Sequence, residues 1–276
     1  MQKKVSIQGF EGCFHQVAAK QYYGEETEVI CCSTFKEVIK NTAASRLSNG
    51  GIMAIENSIA GSILPNYNLI VKNNVKIVGE VYLQIKQQLL VNRGVKLEDI
   101  KEVHSHYMAI QQCSGFLDKY NWKLVETEDT ALSAKHIHQN KNKHAAAIAG
   151  KLAAEIYDLD IVASNIHTLK NNYTRFLVLL HKDTAADIVD PDKASVNFVT
   201  GNEKGSLAKV LTAIAAEGIN LSKLQSMPIP GSHFKYSFHA DMEFENEGQL
   251  NKLLNKMKHI TEALTVLGIY KNGKIG

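Results

Sequence analysis

Short apolar runs of strand length alternate with helix-period stretches through the first two-thirds of this chain, and that alternation restricts it to a layered α/β fold. Val5-Ser6-Ile7-Gln8 reads as a strand, Gly9-Phe10-Glu11-Gly12 as a turn, and 13–23 as a helix stopped by Gly24. Ile52-Met53-Ala54-Ile55 predicts a second strand ending at Glu56. Pro65 falls near the start of the next helix, where its missing N–H costs little. The 75–91 region is rich in strand formers. Glu102-Val103-His104 then feeds Ser105, a candidate N-cap for a helix in which Ala109, Ile110, Cys113, Phe116 and Leu117 share one face. Ile161-Val162-Ala163 is a further short strand.

The pattern breaks at 183–192, where Asp183, Asp187, Asp190, Pro191 and Asp192 make a polar connector. This places one domain at 1–182 and a second at 193–276. The second reads β-α-β-β-α-β, with strands at 195–200, 221–226, 236–244 and 263–270 and helices at 206–217 and 248–259. Gly218 ends the first of these helices, and Pro228-Ile229-Pro230-Gly231 makes the hairpin loop. The order is that of a ferredoxin-like unit. Its exposed sheet edge favours pairing with a second copy, as a homodimer or homotetramer.

Composition excludes several function classes. A formal charge of +3 with no basic cluster argues against a nucleic-acid partner. No apolar run approaches the roughly 20 residues of a membrane span. The cysteines, Cys13, Cys31, Cys32 and Cys113, form no C-x-x-C pair, so free thiols in a reducing cytoplasm are expected. His104-x-His106 and His136-x-His138 lack the spacing and carboxylate company of a zinc helix, and no metal or other cofactor is expected.

The run Asn171-Asn172-Tyr173-Thr174-Arg175-Phe176 precedes Leu177-Val178-Leu179-Leu180, an apolar strand. Such a junction is a rigid place from which to aim a hydroxyl and a guanidinium at a small ligand. Upstream stand Glu56-Asn57-Ser58-Ile59-Ala60-Gly61-Ser62 and Ser105-His106-Tyr107-Met108-Ala109-Ile110-Gln111-Gln112-Cys113. Together the three segments resemble prephenate dehydratase, which converts prephenate to phenylpyruvate in phenylalanine synthesis. The last third resembles the ACT domain that commonly follows it.

The resemblance implies two discontinuous α/β lobes around a cleft, like a periplasmic binding protein, with the signature segment returning to complete the first lobe. It also implies a short buried strand at Ala145-Ala146-Ala147-Ile148-Ala149, whereas alanine propensity favours helix there. Thr174 matches the family's key catalytic hydroxyl. Glu56 and Glu128 are the candidate acids, if burial raises either one; for Glu128 the alternative is stabilising a helix N-terminus. Asn57, Ser58, Ser105 and Gln112 match positions that line the family's site, Ser105 with a second reading as a helix cap. Arg175 is either a bidentate carboxylate clamp or a structural ion-pair partner. Phe176 packs under the site, and Gly12 belongs to a glycine-spaced loop offering N–H groups to an anion.

The chain departs from the family's pattern at Phe10, Cys13, His15, Tyr107 and Met108, which puts first-loop contacts in doubt. In the C-terminal unit Gln225 and Met227 stand where the family has glutamate and arginine. The resemblance implies phenylalanine as allosteric effector, at Asn202, Gly205, Ser206, Leu207, Asn220, Leu221 and Ser226. The alternatives are an ACT domain that only joins subunits, action on arogenate in place of prephenate, and a non-catalytic sensor of a small carboxylate.

Overall fold

The computed structural model describes residues 3–44, 47–229, 231–232 and 235–273. Among them the strands form three sheets. The first runs β2 (Glu28–Cys32), β1 (Lys4–Gln8), β3 (Gly50–Asn57), β11 (Tyr173–His181) and β5 (Val75–Gln84), with the short β4 (Gly61–Ser62) paired to β3. The second runs β10 (Leu159–Ala163), β6 (Gln88–Asn92), β9 (Ala145–Ala149), β7 (Glu102–His106) and β8 (Lys123–Thr127). The third, wholly antiparallel, runs β13 (Asn220–Pro228), β14 (Tyr236–Glu243), β12 (Lys193–Val199) and β15 (Ala263–Tyr270).

Local chemistry sets the helices. α1 (Phe14–Tyr23) ends at Gly24, whose φ of 101° suits a residue without a side chain. α2 (Phe35–Ala43) is capped by Thr34, which accepts from the Glu37 N–H. α3 (Leu64–Lys72) carries Pro65 in its first turn. The second lobe adds α4 (Tyr107–Gln112), α5 (Ser114–Leu117), α6 (Thr130–Asn140) and α7 (Lys151–Ile156). In the third unit α8 (Ser206–Ala216) and α9 (Glu247–Ile260) pack together over one face of the sheet, burying Val210, Ile214, Leu250 and Leu253.

The chain crosses between the first two sheets at residues 85–87 and again at 164–172, so β11 returns to complete the first lobe. The expected α/β two-lobed fold with discontinuous lobes, plus a ferredoxin-like unit, is what forms. Residues 145–149 are a strand: all five are buried between β6 and β7, and that packing overrides alanine's helical preference. Ser105 is not the cap. β7 runs through it to His106, and His106 accepts from the Met108 N–H. The expected hairpin loop at 228–231 includes Pro230, which lies outside the described residues.

The open face of the third sheet lies on the back of the first. Met227, Leu267 and Tyr270 share a buried cluster with Met53, Ile55, Ile77, Leu177 and Leu179. β15 approaches β5 so closely that a Cβ at Gly268 would stand 2.1 Å from the Ile77 carbonyl oxygen. β12 starts earlier than expected, at Lys193, whose ammonium is buried against Glu80 at 2.9 Å. Both faces of β11 are therefore covered, one by the cleft and one by the third unit.

Candidate active site

Residues from both lobes and from the first crossover line a cleft of about 450 Å³. The first lobe supplies Cys13, Phe14 and His15 at the start of α1, Asn57, the 60–63 hairpin, Thr174 and Phe176. The second supplies His106, Met108, Gln112 and the 128–130 turn, and the first crossover adds Ile85 and Gln87. A larger hollow of about 690 Å³ opens between α1 and α7 beside Lys20, Lys86 and Lys151. It lacks every cleft-lining candidate above except Phe14, so the chemistry belongs to the smaller space.

Thr174 pairs with Asn57 across the β11–β3 ladder, and their side chains meet on the cleft face. Asn57 Oδ1 accepts from the Ile59 and Ala60 N–H groups at 3.0 and 2.9 Å, which fixes the amide's orientation. Asn57 Nδ2 must then donate, and it does so to Thr174 Oγ1 at 3.0 Å, the Tyr173 carbonyl at 3.2 Å and Asn172 Oδ1 at 2.7 Å. Thr174 Oγ1 is thus an acceptor within the protein. Its own hydrogen has no acceptor among the described residues and is left for whatever occupies the cleft.

Asn172, fully buried, donates in turn to Gln112 Oε1 at 2.9 Å, joining the second crossover to α4. Phe176 forms part of the apolar floor, with the His15 ring edge-on at 5.0 Å. Burial lowers the His15 pKa to about 3, so the ring is neutral and accepts from the Ala54 N–H. Burial also pushes the Cys13 thiol up to about 12, leaving it a thiol and not a thiolate. Asp129 caps α6 by accepting from the Leu132 N–H; burial raises its carboxyl, while those cap bonds and His106 pull the other way. No lysine or arginine lines this cleft among the described residues.

Several expected site residues lie elsewhere. Arg175 follows Thr174 on the strand and so faces the opposite side, where Nε meets Glu80 Oε2 at 2.6 Å and Nη1 meets Asp241 Oδ2 at 2.5 Å. It is the structural ion-pair partner, not the clamp. Glu56 opposes Arg175 in the ladder and also leaves the cleft; Lys223 of β13 holds it at 2.5 Å. Ser105 is buried and donates to the Ile148 carbonyl at 2.7 Å. Ser58 sits outside the lining and ties down the signature segment, accepting from the Tyr173 N–H at 3.0 Å and donating to the Asn171 carbonyl at 3.2 Å.

The two glycine N–H groups of the first loop are already taken within the protein. Gly9 N–H donates to the Cys32 carbonyl and Gly12 N–H to Gln16 Oε1, and a Cβ at Gly12 would lie 2.8 Å from Ala153. Glu128 does line the cleft, exposed, but the helix-capping role considered for it belongs to Asp129. The residues proposed for an effector divide between two ends of the third unit. Asn202 and Gly205 precede α8, and Ser206 and Leu207 open it, at the end that carries Ser226, which opposes Phe238 and through it Phe198. Asn220 and Leu221 lie beyond the other end of α8, with the Asn220 amide on Glu243.

Sequence reasoning missed Asn172, Gln87, His106 and Asp129 as cleft or supporting residues. Asn172 alone had a signal, its position two residues before Thr174 on the same face of an extended segment. No group of three or more His, Cys, Asp or Glu side chains suited to a metal occurs among the described residues. No helix among them is long and apolar enough to cross a membrane.

A family model described as prephenate dehydratase matches residues 5–184. Arogenate dehydratase 2 of Petunia hybrida is 35% identical over 283 residues, covering 97% of this chain and 71% of the relative. A solved prephenate dehydratase from Arthrobacter aurescens, in complex with L-Phe, superimposes with a TM-score of 0.87 at 25% identity, over 97% of this chain and 90% of that one. A structure described as GqqA, a novel type of quorum quenching acylase, superimposes with a TM-score of 0.89 at 27% identity and covers 98% of both chains.

Proposed function

The chain belongs to the prephenate dehydratase family, and we propose that the cleft converts prephenate to phenylpyruvate, carbon dioxide and water with Thr174 as the catalytic hydroxyl. In that reaction the bond from the ring to its carboxylate breaks, its electron pair enters the ring, and the ring hydroxyl departs. Aromatisation drives the change. The protein's task is to hold the dianion and stabilise the leaving oxygen.

The observation that carries this reading is the direction of the Asn57–Thr174 hydrogen bond. Asn57 donates, so the threonine hydrogen is free to donate to the departing oxygen. The apolar floor of Phe14, Phe35, Ile63 and Phe176 suits the ring and disfavours the localised charge of its carboxylate, which leaves as neutral carbon dioxide. With no cationic side chain in the lining, the side-chain carboxylate falls to uncharged donors, of which Gln112 is one. Glu128 and Asp129 are the carboxyl groups in the cleft lining, and one proton must reach the departing hydroxide in each turnover.

The third unit acts as an ACT regulatory domain for L-phenylalanine, with Asn202, Gly205, Ser206, Leu207, Asn220, Leu221 and Ser226 as its binding positions. Because these positions fall at opposite ends of α8 within one chain, an effector site that uses both sets takes one end from each of two subunits. Regulation then requires phenylalanine to favour one quaternary state. The test is ultraviolet detection of phenylpyruvate after purified protein meets prephenate, with arogenate as the parallel substrate. Product from arogenate alone gives the chain the other activity of its relatives, and product from neither overturns the assignment.

A further inference from the structure

Amide polarity is handed along a chain of side chains from Asn57 to Gln112, and Asn172 is its middle link. Asn57 Oδ1 is committed to two backbone N–H groups, so Asn57 presents Nδ2 to Asn172. Asn172 must answer with Oδ1, at 2.7 Å, which turns its own Nδ2 towards Gln112. Gln112 must then answer with Oε1, at 2.9 Å, which leaves Nε2 as the end of that amide without a partner among the described residues. Because one end of each amide accepts and the other donates, reversing any one of them sets two donors or two acceptors against each other.

We propose that Asn172 is a positioning residue for the reaction: it forces Gln112 to present N–H, and not C=O, to an anionic substrate carboxylate. This rests on the dehydratase reading of the cleft. Asn172 does not touch the cleft space itself; its side chain ties Asn57 of the first lobe to Gln112 of the second, and its backbone carbonyl accepts from the Ile85 N–H of the first crossover at 2.7 Å. In a cleft whose lining has no lysine or arginine, the sign of one amide decides whether a carboxylate meets a donor or an acceptor.

The test is Asn172→Asp, a change of one atom in a buried position. The carboxylate still accepts from Asn57 but now also demands a donor from Gln112, which turns its C=O to the cleft. The expected result at neutral pH is a loss of about 10- to 100-fold in kcat/KM for prephenate, the scale of one hydrogen bond to a charged group. The loss should shrink as pH falls, because the protonated carboxyl regains an O–H for Gln112 Oε1. In a Gln112→Ala background, Asn172→Asp should cost nothing further.

Wild-type kinetics in Asn172→Asp, a loss unchanged with pH, or full additivity with Gln112→Ala would each overturn the proposal. If Asn172→Asp fails to fold, Gln112→Glu answers the same question, since Asn172 still donates to one oxygen and the other faces the substrate. That variant should raise KM, and an unchanged KM counts against the proposal. Wild-type protein without activity on prephenate or arogenate sinks the functional reading instead, so the two failures are distinguishable.

Discussion

Thr174 and Arg175 are neighbours on β11 yet serve opposite faces of its sheet. The threonine Oγ1 receives Asn57 Nδ2 at 3.0 Å in the cleft, while the arginine Nη1 meets Asp241 of the third unit at 2.5 Å. One strand thus carries the candidate catalytic hydroxyl and the anchor of the C-terminal unit, with only the alternation of side chains separating them.

Replacing Thr174 by valine keeps the shape and removes the donor. Turnover of prephenate should fall by about 10²-fold or more, the scale of losing one strong transition-state donor. Thr174→Ser should retain most of it. Phenylpyruvate absorbance reads both, and unchanged turnover in the valine variant refutes the role.

Asn57→Asp should be nearly as damaging as loss of the hydroxyl, although it is isosteric. Its carboxylate still accepts from the Ile59 and Ala60 N–H groups. The other oxygen would take the Thr174 hydrogen that the leaving group needs. Phenylpyruvate absorbance should show a drop in kcat of about 10²-fold.

Arg175→Met should act on stability before chemistry. It removes the guanidinium shared by the buried carboxylates of Glu80 and Asp241, leaving the first to Lys193 and the second to Ser195 and His239, and takes a donor from Tyr270. Breaking a buried pair in this way costs about 3–5 kcal/mol. Urea unfolding should show that loss, and a midpoint equal to wild type would contradict it.

Acid should destabilise the protein through two groups. Burial alone would raise the Asp241 carboxyl, but Arg175 and His239 outweigh it and hold the group well below its ordinary 3.8. That contribution is present above the unfolded value and disappears as pH falls through the folded one. His15 is lowered from 6.5 to about 3 by burial, so unfolding takes up a proton across that whole window. Stability should therefore begin to fall below 6.5. His15→Gln should flatten this upper part of the urea-midpoint profile, and a profile with unchanged slope would remove His15 from the account.

Lys223 of β13 reaches Glu56 at 2.5 Å and Ser62 at 2.7 Å, and Ser62 lines the cleft. This is a direct polar link from the third sheet to a residue lining the candidate site. Lys223→Met should leave phenylalanine binding intact by calorimetry while weakening its effect on turnover several-fold. Equal inhibition in the variant would move the coupling to the Arg175–Asp241 contact.

Much of the scaffold was legible in the residues. Gly24, Pro65 and Gly218 punctuate helices by local chemistry alone, and the last third reads in the right β-α-β-β-α-β order. The strand at 145–149 was not settled by local preference, because its five small residues are buried on both sides by neighbours distant in the chain. Met227 makes sense only in place: it is 1% exposed within an apolar cluster, where an unpaired charge would be costly.

Segment identity, strand alternation and the presence of Thr174, Asn57 and Gln112 follow from local order along the chain. Which face of β11 meets the cleft does not, because both faces are buried and no hydrophobic alternation marks one as inside. Arg175 and Glu56, polar and adjacent to Thr174 and Asn57, look like site residues until the third sheet closes over their side. The direction of every hydrogen bond in the Asn57–Asn172–Gln112 chain was likewise settled only by assembly, since an amide's donor and acceptor ends are chosen by partners that folding brings together.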